Sequence, residues 1–156
     1  MNIRSVAALI LAPLLLGMAR TPPKENPPME EPAKLLVSKR PDGPSSWDGG
    51  YSQSPGETVV VRDAEAWTSL WKDKIGQPAP PVDFSGYIAV AVFLGSRSTG
   101  GYGVEFLPPA AEGNALVLGY REKKPAAGGF VIQAFTQPYA IQLYRKPTVP
   151  VEVRAR

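Results

Sequence analysis

The eight residues YIAVAVFL, positions 87–94, constrain the fold more than any other stretch, because they contain no charged or amide side chain on either parity. A β-strand sends successive side chains to opposite faces, so a strand apolar at every position must be covered on both sides. The run therefore predicts a central strand, with a helix on one face and further structure on the other. The covering helix is also visible. DAEAWTSLWKDKIG opens on a capping Asp63, closes on Gly76, and spaces Trp67, Leu70, Trp71 and Ile75 along one face of a helix over 64–75.

Other strand signals surround this pair. Lys34–Lys39 and the β-branched run ETVVVRD read as strands. PDGPSSWDGGYSQSPG between them is too rich in Gly, Pro and Ser for long regular structure, which predicts strand fragments around Tyr51 or a contact surface. Tyr102, Val104 and Phe106 alternate with polar or small residues, so 101–107 is expected to pair with 87–94 across a glycine loop. Ala115–Arg121, FVIQAFT (130–136), YAIQLYR (139–145) and PVEVRA (150–155) complete the set. The expected fold class is α+β: a small β-rich, sandwich-like domain of six or seven mostly antiparallel strands with one packed amphipathic helix.

Ahead of the domain, MNIRSVAALILAPLLLGMAR has a basic start at Arg4, an apolar run from Val6 to Leu16 and a small-residue segment, the pattern of a secretory signal over 1–19. The alternative is an uncleaved anchor, for which the run is short. Residues 20–33, dense in proline and charge, read as a disordered spacer, and 34–156 as the globular domain. The expectation is an exported protein, periplasmic or extracellular, without membrane contact once the signal is removed. The chain has no cysteine, so disulfides contribute nothing. Removing residues 1–19 takes away Arg4 alone and leaves sixteen Lys and Arg against fourteen Asp and Glu, a balance too even to suggest nucleic acid.

Catalytic equipment is sparse. The chain has no histidine, which excludes serine triads and ordinary zinc sites and leaves no metal or cofactor site to expect. Ser69-Leu70-Trp71-Lys72 matches a bare S-x-x-K pattern without its companion motifs, leaving a hydrolase using Ser69 and Lys72 as a remote reading. The carboxylates Asp63, Glu65, Asp73, Asp83, Glu105, Glu112, Glu122 and Glu152 are scattered, with Glu105 and Glu122 expected in solvent and Asp83 bonding local amides. No catalytic residue is assigned, and the chain is expected not to be an enzyme.

VVVRDAEAWTSLW, PPVDFSGYIAVAVFLGSRSTGGYGVEF and GGFVIQAFTQPYAIQLYR resemble, in order and spacing, the C-terminal domain of the PrcB family across roughly Thr58 to Arg145. The most specific pieces are Val82-Asp83-Phe84, Gly95 with Thr99-Gly100-Gly101-Tyr102, and Gln137-Pro138-Tyr139. The family takes its name from an accessory subunit of a secreted bacterial serine-protease complex. The resemblance implies no catalytic residues and a protein partner, a secreted protease. A weaker similarity, in the order of STGGY, AGG and QPY, is to the three binding loops of chagasin-like protease inhibitors, although Arg97-Ser98 and Gln137 depart from that pattern.

Candidate partner-binding residues are Arg97, Thr99, Gly100, Gly101 and Tyr102, with Gly128, Gly129, Gln137, Pro138 and Tyr139 as neighbours. Glycine lets backbone approach a partner closely, and tyrosine offers contact area at low entropic cost. The same residues also fit a plain structural role. In that role Gly100 and Gly101 supply positive φ for a hairpin, Tyr102 joins Val104 and Phe106 in the core, Pro138 divides two strands, and Tyr139 shares a face with Ile141 and Leu143.

Overall fold

The computed structural model describes residues 31–156. The signal reading of 1–19, and the spacer reading of 20–33 except at its last three residues, lie outside the described residues. The elements run α1 (Pro32–Leu35), β1 (Ser46–Gly49), β2 (Glu57–Val61), α2 (Ala64–Leu70) continued by a π-helical turn (Trp71–Ile75), and β3 (Tyr87–Phe93). They continue with β4 (Gly103–Phe106), β5 (Ala110–Glu112), β6 (Ala115–Lys123), β7 (Tyr139–Arg145) and β8 (Val151–Ala155). No helix among the described residues is long and apolar enough to cross a membrane.

β3 is the centre, as its composition requires. It pairs antiparallel with β2 on one side and with β7 on the other, and β1 closes the first sheet beyond β7. Ala89, Ala91 and Phe93 face Trp67, Leu70, Trp71 and Phe84, together with Ile141 and Leu143 of β7. On the opposite face Ile88, Val90 and Val92 meet Leu116 and Leu118 of the second sheet and Tyr144. The result is three layers, helix on sheet on sheet, with residues 88–92 at most 1% exposed. Fully burying an aliphatic side chain the size of Ile88, Val90 or Val92 is worth ~1.5–3 kcal/mol, so each contributes substantially to the stability of the domain.

The helix forms for local reasons that its tertiary contacts then reinforce. Asp63 Oδ1 accepts the Ala66 amide at 2.8 Å, a side-chain N-cap. Trp67 and Trp71 pack edge-on at 5.5 Å, and Trp47 of β1 joins both at 5.4 and 5.9 Å. The Trp67 indole donates to the Pro80 carbonyl at 2.7 Å, so its polar edge is satisfied inside the core. Asp83 accepts the Ser85 amide at 2.9 Å, holding the turn that feeds β3, the local role expected of it.

In the second sheet, β6 is flanked on both sides. Tyr120 lies opposite both Phe106 and Ala155, and Val117 opposite both Ala110 and Glu152, so parallel β8 occupies one side and β4 and β5 follow each other along the other. Pro108 and Pro109 separate β4 from β5 because a proline nitrogen cannot donate to the ladder.

The α+β class, the central strand and its cover, the single packed helix and the sandwich-like layering stand as read, with eight strands rather than six or seven. Four local expectations are corrected. Lys34–Lys39 is not a strand: α1 and an isolated Leu36–Tyr144 bridge occupy the region, because Pro32 opens a helical turn that buries Leu35. The glycine-rich loop does hold a strand, β1, before Tyr51 rather than around it. β4 pairs with β6 rather than with 87–94, so the glycine loop crosses between sheets and closes no hairpin. FVIQAFT forms no strand; only Thr136 bridges, to Arg97.

Ile88→Ala and Ile141→Ala truncate fully buried residues on opposite faces of the first sheet. Each is expected to lower the free energy of unfolding by ~2–5 kcal/mol in denaturant titrations. A loss below ~1 kcal/mol at either position would mean that face is not covered.

Candidate functional site

The glycine loop, 95–102, carries the chain from β3 in the first sheet to β4 in the second, and most of its contacts are with the 124–138 loop. Arg97 and Thr136 exchange backbone hydrogen bonds at 2.8 and 2.9 Å. Gly100 N–H donates to the Ile132 carbonyl at 2.9 Å, and the Thr136 hydroxyl donates to the Thr99 carbonyl at 2.9 Å. Gln137 N–H donates to the Gly50 carbonyl at 2.8 Å, tying in the β1 loop as well. Thr136 is buried, and its hydroxyl and both of its backbone groups are engaged in this lacing.

Arg97 is the clasp. Its guanidinium donates to both carboxylate oxygens of Glu122 at 3.0 and 2.9 Å, and to the carbonyls of Leu94 and Ser96 at 2.7 and 3.0 Å. It also lies 5.7 Å from the centre of the Tyr102 ring, in cation–π range. A planar fork that reaches a carboxylate and two carbonyls at once is what lysine cannot supply. The Arg97 hydrogen bonds, the largest cause, hold the Glu122 carboxyl below the ordinary carboxylate range, and the same pairing raises the Arg97 guanidinium. Glu122 is thus half-buried and paired, not the solvated turn residue its neighbours Lys123 and Lys124 suggest.

Gly101 is required by geometry. Its φ is +85°, and an added Cβ would lie 2.8 Å from Pro125 Cβ and 3.0 Å from Val131 Cγ1. Gly100 keeps an ordinary φ, so of the expected pair only Gly101 takes the left-handed conformation. Tyr102 does not join Val104 and Phe106 between the sheets; it stands half-buried under Arg97 at the edge of an open groove of ≈ 590 Å³. Asp48, Phe106, Lys123, Tyr139 and Gln142 line that groove too. It runs along β1, an edge strand of its sheet, and β4, which pairs with β6 alone.

The structure thus brings Arg97, Thr99, Gly100, Gly101, Tyr102 and Gln137 together, sets Gly128 and Gly129 apart, and buries Pro138 and Tyr139, the latter in the floor of the same groove. Gly128 and Gly129 lie in an outer turn closed by a bond from Gly129 N–H to the Ala126 carbonyl at 2.9 Å. Pro138 and Tyr139 are buried: Tyr139 is 7% exposed, stacks on Phe93 at 6.0 Å and lies in the core with Ile141 and Leu143, the structural role foreseen for it. Desolvation, reinforced by Asp48, pushes its phenol pKa up. Sequence reasoning missed Thr136 and Glu122, since neither lies near Arg97 along the chain. It also missed the exposure of Phe130, Ile132 and Phe135, which lie in a segment read as a strand.

Residues 88–142 match the model of the PrcB C-terminal family. The match bears out the resemblance drawn from the sequence, and it covers a little over a third of the chain, from β3 through most of β7. The PrcB-matched segment therefore includes the central strand, the whole glycine loop, β4 to β6 and the loop laced to it. Comparisons with curated proteins and with solved structures returned no match.

Among the described residues no three acids are grouped as metal ligands. Glu57, Glu105, Glu112 and Glu122 are each paired with Lys or Arg. Ser69 and Lys72 are both exposed on α2 and its continuation, with no hydrogen bond between them.

Glu122→Gln tests the clasp through pH. Because the folded-state pKa of Glu122 is depressed, its stabilisation is fully present above the unfolded value of ~4.3 and is lost as pH falls through the folded value. Wild type is expected to exceed the variant by ~1 kcal/mol at neutral pH, with the gap closing in acid. A gap independent of pH, measured by denaturant unfolding, would exclude the ionised pair as its source.

Proposed function

We propose that the protein is a non-catalytic, exported protein–protein interaction domain, an accessory or stabilising partner of a secreted protease complex. The observation that carries this reading is the PrcB C-terminal match, laid over the segment that builds and braces the glycine loop. The surrounding chemistry supports it. A site for turnover needs a nucleophile or base with a partner in reach, and Ser69 and Lys72 are exposed with no hydrogen bond between them.

The contact surface in this reading is the Thr99–Tyr102 loop with the groove beside it. Hydrogen bonds and an ion pair hold the loop in place before any partner arrives, so little ordering entropy remains to be lost on association. Tyr102 sits where an aromatic ring can serve both the loop and an incoming chain. Insertion of the loops into a protease cleft, the inhibitor reading, finds less support, because Pro138 and Tyr139 lie in the interior instead of at an exposed tip.

Chemical cross-linking of the mature protein in native cell extract, followed by mass spectrometry, identifies the partner. The expected product is a complex with a protease. Thr99→Ala combined with Tyr102→Ala should lower its yield about tenfold while shifting thermal unfolding by only a few degrees, since the changes cost ~0.5–1 kcal/mol. Undiminished capture by the double variant would move the contact elsewhere, and turnover of a substrate by the purified chain would end the non-catalytic reading.

A further inference from the structure

β4 has one strand neighbour, β6, so its far side is a sheet edge. The phase of the ladder says which groups lie on that edge. Leu107 N–H donates to the Gly119 carbonyl at 2.9 Å, so the alternate residues Glu105 and Gly103 also bond toward β6. Val104 and Phe106 therefore turn their backbone N–H and C=O the other way. Among the described residues these groups meet no backbone partner.

The edge overlooks a step between the sheets. β4 packs over β7, with the Phe106 ring 6.5 Å from that of Tyr144, and β1 lies one strand beyond β7. The first sheet thus extends past the second by about one strand width, ~4.8 Å. The open groove of ≈ 590 Å³ is that step, with β1 in its floor and β4 as its wall. Ser46 and Asp48 lie opposite Gln142 and Ala140, on the face from which Val90 and Val92 meet the second sheet. A single extended chain laid along β4 would lengthen the second sheet by one strand and cover β1. A second sheet with its own backing layer finds no such room, because β1 already occupies the layer beneath.

We propose that the open edge of β4 receives an extended segment of a partner protein as an added strand, lying over β1 and carrying a lysine or arginine on its inward face. In this mode main-chain hydrogen bonds to Val104 and Phe106 give affinity, and alternate side chains give specificity. Charge selects the segment. Asp48 is exposed at the groove and forms no ion pair among the described residues, so a cation facing inward from the added strand meets an unanswered carboxylate. Lys123, the other charged residue lining the groove, is also without an ion pair among the described residues. It lies opposite Gly103 in register and shares the outer face with Arg121, so an acid suits the outward side of the segment.

Strand addition is a mode of the partner contact proposed above and rests on that reading. Its test uses the purified protein and a peptide, without the partner, so that the two can fail separately.

Residue-by-residue amide exchange of the mature protein is measured with and without a blocked eight-residue peptide. One face of the peptide alternates lysine and valine, and the other glutamate and threonine. In the free protein the ladder protects Gly103 and Glu105, while Val104 and Phe106 exchange faster. Millimolar peptide should slow Val104 and Phe106 at least about tenfold and leave Gly103 and Glu105 unchanged, a period of two that side-chain contact alone does not produce. Asp48→Lys should weaken binding about fivefold, glutamate in place of the peptide's lysine should recover it, and both effects should shrink in high salt. No slowing at Val104 and Phe106, equal slowing across 103–106, or binding indifferent to Asp48→Lys overturns the proposal. Slow exchange of Val104 and Phe106 in dilute protein alone would mean that the chain fills its own edge, and slowing that grows with protein concentration would mean that a second copy does; each overturns it too. Capture of a protease alongside any of these results keeps the accessory role and removes strand addition.

Discussion

The structure depends on one constraint: a seven-residue strand buried at six of its seven positions cannot lie on a surface. Two layers have to be built against it, and the rest of the sequence supplies them. One face receives an aromatic cluster in which three tryptophans and Phe84 interlock. The other receives a second sheet whose contact residues are Leu, Val, Phe and Tyr. Tyr144 sits fully buried on that side with its ring against Phe106, and burial pushes its hydroxyl pKa up. Neither sheet could be stable alone, since the first has two apolar faces and the second one, and only the other layers cover them.

A chain that must pass from the middle layer to the outer one needs a crossing, and the glycine loop is that crossing. It is held by an Arg97–Glu122 fork, by a threonine whose hydroxyl and backbone are both engaged, and by Gly95, Gly100 and Gly101, at each of which an added Cβ would meet a neighbour at 2.8 Å or less. Buried polar networks of this kind fix one arrangement when every member is satisfied. The loop is consequently an ordered surface element laced to the 124–138 segment.

What could be read from the sequence follows from range of interaction. β3, α2 with its Asp63 cap, and the core role of Tyr139 are written in periodicity that neighbouring residues enforce on one another. The destination of β4 is not, because alternation at Val104 and Phe106 declares a strand without naming its partner. FVIQAFT misleads for a related reason: its propensity is real, but in this fold β7 already has β3 and β1 as neighbours and the segment finds no ladder. The glycine loop was visible as a place, whereas its clasp was not, since Arg97 and Glu122 are brought together only by the pairing of β4 with β6. The resemblance to PrcB C-terminal domains drew on both the periodic segments and the loop, and it is matched over the part of the chain where these meet.

Amide hydrogen exchange, followed residue by residue in dilute protein, bears most directly on the primacy of the two-faced strand. The amides of β3 and of β7 where it pairs with β3 should exchange only through global unfolding, at one shared free energy that tracks denaturant stability, while those of Phe130–Phe135 exchange many orders of magnitude faster. Protection of β3 well below the global value, or protection of 130–135 equal to it, would contradict a domain organised around its central strand.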